Sequence, residues 1–353
     1  MRMESLPLET LQHIFSFACL DDGFTGRSLS RVSTTIRSAA RTTRFQSISL
    51  YADYERVVAF VALYKAQRAA SPEHHPHVWH LSINFHARLA DELCEIPQWR
   101  EDLRYLFRNV AKDLRSILIL VDTERDRALQ HSWPIFDCPF PVLQDVTAVA
   151  LSDIGILVNK SSAVPVFPVA THIHLVAAAQ MTSFNLPSWL SHVPRSTHLR
   201  VSHINYWNRG FPKNFEHALD FSLPRRPDPG MQPVRRTHTR PSKPPRPITH
   251  PHLRYIMLQP AAAPAPGGWC GTGPAAYEAF TTWLDRLATY KGLVNLEVVP
   301  VTPFAHRVSY GQWCKLAKEK WLGRMNGGLG CWDLHAVDDI QPEPWRRPAG
   351  ANR

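Results

Sequence analysis

Apolar residues recur along this chain at two different periods, and the period changes near position 45. From Leu6 the helical period comes first. Leu8, Leu11, Ile14, Phe15 and Ala18 fall on one stripe, and Pro7 precedes them where a first helical turn has no N–H to lose. Asp21-Asp22-Gly23 then reads as a stop, since Asp favours turns and Gly tolerates a positive φ. A second stripe, Leu29, Val32, Ile36 and Ala40, predicts another helix with Thr25 as its N-cap and Arg31, Arg37 and Arg41 outside the stripe. Two such helices are too small to bury much surface alone. Phe45 to Leu50 reads as a short strand, and Asp53 to Ala70, with Val57, Val58, Phe60, Val61 and Tyr64, as a helix packed on the rest of the chain.

Beyond position 70 a local pattern returns repeatedly: an apolar residue, two others, a second apolar residue, one other, a third. It occurs as Val78-x-x-Leu81-x-Ile83, Leu114-x-x-Ile117-x-Ile119, Leu143-x-x-Val146-x-Ala148 and Ala170-x-x-Ile173-x-Leu175. A degraded copy, Ser196-x-x-Leu199-x-Val201, precedes Leu253-x-x-Ile256-x-Leu258 and Leu293-x-x-Leu296-x-Val298. The middle residues, at positions 81, 117, 146, 173, 199, 256 and 296, are separated by 36, 29, 27, 26, 57 and 40 residues. Period-2 apolar residues predict strands with one face inward, and parallel stacking buries what no single copy can bury. The pattern resembles the Leu-x-x-Leu-x-Leu strand of leucine-rich repeats, in a degenerate form without their loop Asn. An ordinary α/β domain with parallel strands is the alternative. Helices are expected on the outer side at Asp91 to Val110, broken at Pro97, at Pro187 to His192, and at Tyr277 to Tyr290. Ser309 to Leu322 predicts a last helix, with Tyr310, Trp313, Leu316, Ala317 and Trp321 on one face, that caps the open end of the array. Arg324 to Arg353 reads as a fraying end.

Leu6-Pro7-x-Glu9-x-Leu11-x-x-Ile14-Phe15, followed by Leu29-x-x-Val32-Ser33-x-x-Ile36-Arg37, resembles an F-box of the kind found in many fungal F-box proteins. Ile36 stands where many F-boxes carry Trp. The resemblance covers about the first forty-five residues. It implies docking on a Skp-family adaptor that links the chain to a cullin, with Leu6, Pro7, Leu11, Ile14, Phe15, Leu29, Val32 and Ile36 in or just behind the interface. It further implies a non-catalytic, substrate-recognition subunit of a cullin-RING ubiquitin ligase, acting in the cytoplasm, the nucleus or both.

The expected fold is therefore α+β: an F-box over 1–50, then an irregular leucine-rich-repeat-like α/β solenoid over 51–323, then a flexible tail over 324–353. With 44% hydrophobic residues the chain is apolar enough for a large core. No apolar run reaches bilayer length, so no membrane partner is expected. The net charge of +10 is concentrated. Between Pro224 and Pro251 seven basic residues face one acidic one, contributing +6, and nine prolines forbid helix and central strand alike. The segment reads as an extended insertion into one repeat. Two other functions stay open: a plain interaction scaffold, or a nucleic-acid binder through the 224–251 segment.

Candidate chemistry is sparse. Gly267-Gly268-Trp269-Cys270-Gly271-Thr272-Gly273 follows an Ala/Pro run and matches no phosphate-binding glycine motif. His74, His75, His77 and His80 lack Cys or carboxylate at ligand spacing except Glu73, and read as a solvated loop. Glu92, Glu95, Glu101 and Asp102, with Arg100 and Arg104, read as a salt-bridged exposed face. The six cysteines contain no Cys-x-x-Cys pair. No catalytic residue, cofactor or metal ligand is expected.

Overall fold

A computed structural model describes residues 6–70, 75–86, 96–122, 134–151, 153–158, 164–177, 185–207, 210–223, 250–264, 272–293, 295–304, 306 and 308–333. Three short helices open the chain: α1 (Leu8–Ala18), α2 (Phe24–Leu29) and α3 (Thr34–Ala39). The expected second helix is thus two. Its stripe is interrupted at Ser33, whose hydroxyl accepts from the Ile36 N–H at 3.2 Å and caps α3. Ser competes with the backbone for hydrogen bonds, and a new N-cap outweighed continuation of the helix. Thr25 caps nothing: it lies inside α2 and bonds Asp21, which accepts from its N–H and its hydroxyl. Gly26 is the closest approach in the unit, since a Cβ there would sit 2.4 Å from the Arg44 carbonyl oxygen.

Eight parallel strands come next, paired in chain order: β1 (Ser47–Tyr51), β2 (His80–His86), β3 (Ser116–Asp122), β4 (Asp145–Val149), β5 (His172–Val176), β6 (His198–Ile204), β7 (Tyr255–Pro260) and β8 (Glu297–Pro300). β8 does not return to β1, so the sheet is open. The chain is mixed α/β with parallel strands. The middle residues of the recurring pattern form one cross-strand row, Ile48, Leu81, Ile117, Val146, Ile173, Leu199 and Ile256. Two expectations change here. Phe45-x-x-Ile48-x-Leu50 is a full copy that heads the sheet, so the ordered sheet begins inside the 1–50 segment. In the last copy Val298, not Leu296, takes the middle place opposite Ile256. A slip of two residues keeps every side chain on its face, so alternation alone cannot set it.

Helices α4 (Tyr54–Ala70), α5 (Pro97–Val110), α6 (Leu186–His192), α7 (Phe211–Ala218) and α8 (Thr272–Ala288) cover the face that carries this row. Pro97 starts α5 at its first turn, where its missing N–H is harmless. Residues 91–95 lie outside the described residues. Phe107, Phe136, Phe140 and Phe167 pack in succession, with edge-on centroid distances of 4.7 Å and 5.4 Å for the first two steps, and continue the core between copies.

Loop backbone is satisfied without the Asn of regular leucine-rich repeats. Gln46 O accepts from the N–H groups of Trp79 and His80, Trp79 O from Arg115 and Ser116, and Arg115 O from Gln144 and Asp145. The same handover continues through Gln144, Thr171 and Thr197 to Arg254, which meets Glu297. Each strand's approach is therefore tied to the next by main-chain bonds that any residue type supplies.

The last helix, α9 (Tyr310–Met325), does not cap an end of the sheet. It lies across the opposite face, where Val308, Trp313, Ala317 and Trp321 close over Leu118 and Leu120 of β3, Val149 of β4 and Val176 of β5. The chain also stays ordered past 324: α9 runs to Met325, and a 3₁₀ turn at Gly330–Trp332 packs on the sheet. Segments 224–249, 267–271 and 334–353, with His74, Glu92 and Glu95, lie outside the described residues. Among the described residues no helix is long and apolar enough to cross a membrane.

Candidate functional site

Two surfaces stand out, one on the N-terminal helices and one beneath α9. Leu11, Phe15, Cys19, Ile36, Ala39 and Ala40 form a small core of their own, with Leu6 and Leu29 half-buried against it. Of the eight residues expected at a partner interface, Leu11, Phe15 and Ile36 are thus interior, Leu6 and Leu29 intermediate, and Pro7, Ile14 and Val32 exposed. Ile36 fills the unit's core and is 1% exposed. The exposed set also includes three residues absent from the expected interface: Leu8, Phe17 and Phe24, the last two at 67% and 74%. Phe17 and Phe24 lie off the two apolar stripes of the sequence, whereas Leu8 lies on the first and carries no such signal. Of twelve large apolar side chains exposed among the described residues, five lie between Leu8 and Val32, a concentration that scattered surface apolar residues do not produce. Between α3 and β1, Arg44 stacks its guanidinium over Phe45 at 4.7 Å, and its charge faces Arg37 and Arg41.

Around the apolar patch that α9 closes over, this face of the sheet is polar. One row reads Ser47, His80, Ser116, Asp145, His172, His198, Tyr255 and Glu297 across the eight strands. The next reads Ser49, Ser82, Leu118, Thr147, His174, Arg200, Met257 and Val299. His80 bonds Ser116 Oγ at 2.8 Å, His172 stacks on His198 at 4.4 Å, and His174 bonds Ser202 Oγ at 3.0 Å. A β-bulge between Val201 and Ile204 puts His203 at φ 60° and brings its ring within 5.4 Å of Trp313.

Charged bonds pin α9 along its length. Lys318 reaches Asp22 at 2.6 Å, so the helix also holds the turn before α2. Arg324 donates from Nε to Asp145 at 2.6 Å, and Arg200 donates to the Cys331 carbonyl. Trp332 covers the His172–His198 stack at 5.2 Å and 5.5 Å. Burial, with the charge of Arg115, pulls His80 down to about 4. Burial, with Arg324 and His198, pulls His172 to about 3, and His174 lies well below its ordinary range through burial beside Arg200 and Lys320. Burial pushes the Asp145 carboxyl up against the opposing pull of Arg324.

These findings revise the histidine reading. His80 is a strand residue under a helix, not part of a solvated loop, and His77 pairs with Asp113 at 3.0 Å. Asp102 is likewise not on an exposed face: it is 6% exposed and meets Lys65 at 3.5 Å, while Glu101 pairs with Arg104. Among the described residues no group of three or more His, Cys, Asp or Glu has the arrangement of a metal site. No family model matches the chain, and no curated protein matches its sequence.

Proposed function

We propose that the chain is a substrate-recognition subunit of a cullin-RING ubiquitin ligase, docking through α1–α3 on a Skp-family adaptor and presenting a target on the sheet-and-helix body, read as a degenerate leucine-rich-repeat-like solenoid. The observation that carries this reading is that Leu8, Ile14, Phe17, Phe24 and Val32 are all exposed on a helical unit whose own core is already filled. Exposed apolar groups at that density call for a partner to cover them. The F-box-like spacing of Leu6 to Arg37 names the partner class. The chain itself performs no chemistry in this scheme. Two binding surfaces on one body raise the concentration of target lysines near the partner-bound ubiquitin. Since α9 covers the middle of one sheet face, a target recruited there meets α9 and the adjoining loops instead of bare strands.

Co-purification of the full chain with the adaptor tests this. Replacing Phe17, Phe24 and Val32 together by Ala is expected to weaken binding by about 2 kcal/mol or more, as truncation of interface anchors does. The melting temperature should stay within a few degrees, because these side chains are exposed. Failure of the unaltered chain to bind, or retention of the adaptor by the triple variant at full yield, overturns the reading.

A further inference from the structure

Between α2 and α4, at the first edge of the sheet, lies a groove of about 380 Å³. That is within the roughly 300–1,000 Å³ of ligand clefts. β1 pairs only with β2, so its other flank has no preceding copy against it. The end of a stacked array must be covered by something else. Here the turn before α2, α2 itself and the Ser30 and Arg31 that follow it do so in part. The floor left open is apolar: Phe45 and Ile48 are each 7% exposed, Phe60 is half-buried and Leu63 is 50% exposed.

Three arginines stand on the walls. Arg27 and Arg31 are exposed, and neither side chain forms an ion pair or hydrogen bond among the described residues. Arg44 donates to Gln67 and stacks on Phe45, but its Nε is buried without an acceptor. Burial and the charges of Arg41 and Arg37 pull Arg44 below its ordinary value, and among the described residues no carboxylate pairs with it. Asp22, the one acidic residue of the lining, is taken by Lys318 of α9 at 2.6 Å.

An occupant must bring carboxylates to the rim and apolar side chains to the floor. A second copy would bring more positive charge, since the chain carries +10. Nucleic acid matches the charge, but it binds through many phosphate contacts and stacks its bases on flat rings. Two unpaired arginines neutralise few phosphates, and Ile48 and Leu63 offer no ring face.

We propose that this groove docks an acidic peptide segment of a partner protein, with its apolar side chains on Phe45, Ile48, Phe60 and Leu63 and its carboxylates on Arg27, Arg31 and Arg44 Nε. Burial on the floor supplies affinity, and the arginines supply orientation and association rate. Phe17, Phe24 and Val32 lie outside the lining, so docking here does not rest on the adaptor.

The test is fluorescence anisotropy of the full chain with a labelled peptide of repeated Glu-Glu-Leu-Phe units. Peptides of Gln-Gln-Leu-Phe and Lys-Lys-Leu-Phe units are the neutral and basic controls. Saturable binding of the acidic peptide is expected, weakening as salt is raised, with a preference of about tenfold or more over the neutral one. Arg27→Gln with Arg31→Gln should weaken the acidic peptide by about tenfold, the equivalent of one charge-assisted bond. Leu63→Ser should weaken the acidic and neutral peptides alike. Lys112→Gln with Lys213→Gln makes the same charge change on exposed side chains outside the groove and should bind as the unaltered chain does. Every altered position is exposed, so unchanged melting temperatures should confirm that the variants fold. Absence of saturable binding, or an equal response of the two paired variants, overturns the proposal. So does a single-stranded oligonucleotide that displaces the peptide at lower concentration than unlabelled peptide does. Self-association of the unaltered chain that Leu63→Ser abolishes would assign the groove to a second copy and overturn it as well.

Discussion

On one face of the sheet the strands present Ile48, Leu81, Ile117, Val146, Ile173, Leu199 and Ile256, a row without a polar side chain, sealed by five helices. On the other face, one residue away in each strand, stand Ser47, His80, Ser116, Asp145, His172 and His198. A single helix and a 3₁₀ turn cover the middle of that second face. The first face is held by apolar burial and tolerates any packing that fills it. The second is held by named pairs: Arg324 with Asp145, Lys318 with Asp22, Trp332 on two histidines, and a patch of apolar residues around Trp313. The difference teaches that a parallel sheet buried on both faces need not be apolar on both. A polar face can be closed if each group finds a partner, and such a closure is sensitive to charge and solution conditions.

The two faces should therefore fail differently. The largest effect is expected at Trp99, fully buried on the apolar face and bonded through Nε1 to the Ala52 carbonyl at 3.2 Å. Trp99→Ala should cost about 3–5 kcal/mol, read as a loss of urea stability in one cooperative transition. Trp313→Ala, in the smaller cluster on the polar face, should cost about 3 kcal/mol, at the low end of that range. Its signature should be local: hydrogen exchange should rise in α9 first, while the strands keep their protection. If both variants lose protection uniformly, the faces are one cooperative unit and the contrast between them fails.

A pH series sharpens the comparison further. His80 and His172 have folded-state values near 4 and 3, and His174 lies well below its ordinary range, whereas the unfolded chain titrates them near 6.5. Below that pH the unfolded chain binds protons that the folded chain refuses. Stability should therefore be full above pH 6.5 and fall as pH drops toward 4, with a slope of up to about 1.4 kcal/mol per pH unit for each histidine. Urea midpoints between about pH 7.5 and pH 4.5 read this directly. His172→Asn should flatten the slope and Trp99→Ala should not. A flat profile would show that the histidines are not sealed by α9.

Much of the apolar face was legible in advance, because the residues that make it repeat. Val78, Leu114, Leu143, Ala170, Ser196 and Leu253, the first positions of the pattern, are all buried where the spacing put them. The misses have local causes. Phe45 to Leu50 reads as a short strand but stands apart from the repeating copies, because the segment before it is helical. The Leu296 to Val298 shift kept the alternation intact. The stripe over Leu29 to Ala40 satisfied one helix as well as two, and the Ser33 cap settled the matter. The interface residues were chosen by family-like spacing, which does not separate a core position such as Phe15 from a surface one such as Phe17.

Periodicity, then, was enough to set the strands, the inward side of their apolar residues and the buried stripe of the last helix, since those depend on neighbours within a few positions. Where that helix lies was decided only in three dimensions. Nothing in Tyr310 to Met325 distinguishes an end cap from a lid. The choice rests on partners far away in the chain: Asp22, Asp145, Arg200 and His203 reach one surface only after the strands have stacked. Local pattern carries the information for burial, which is non-directional. Placement of a polar lid requires specific pairs at fixed distances, and those exist only once the sheet has brought its rows into register.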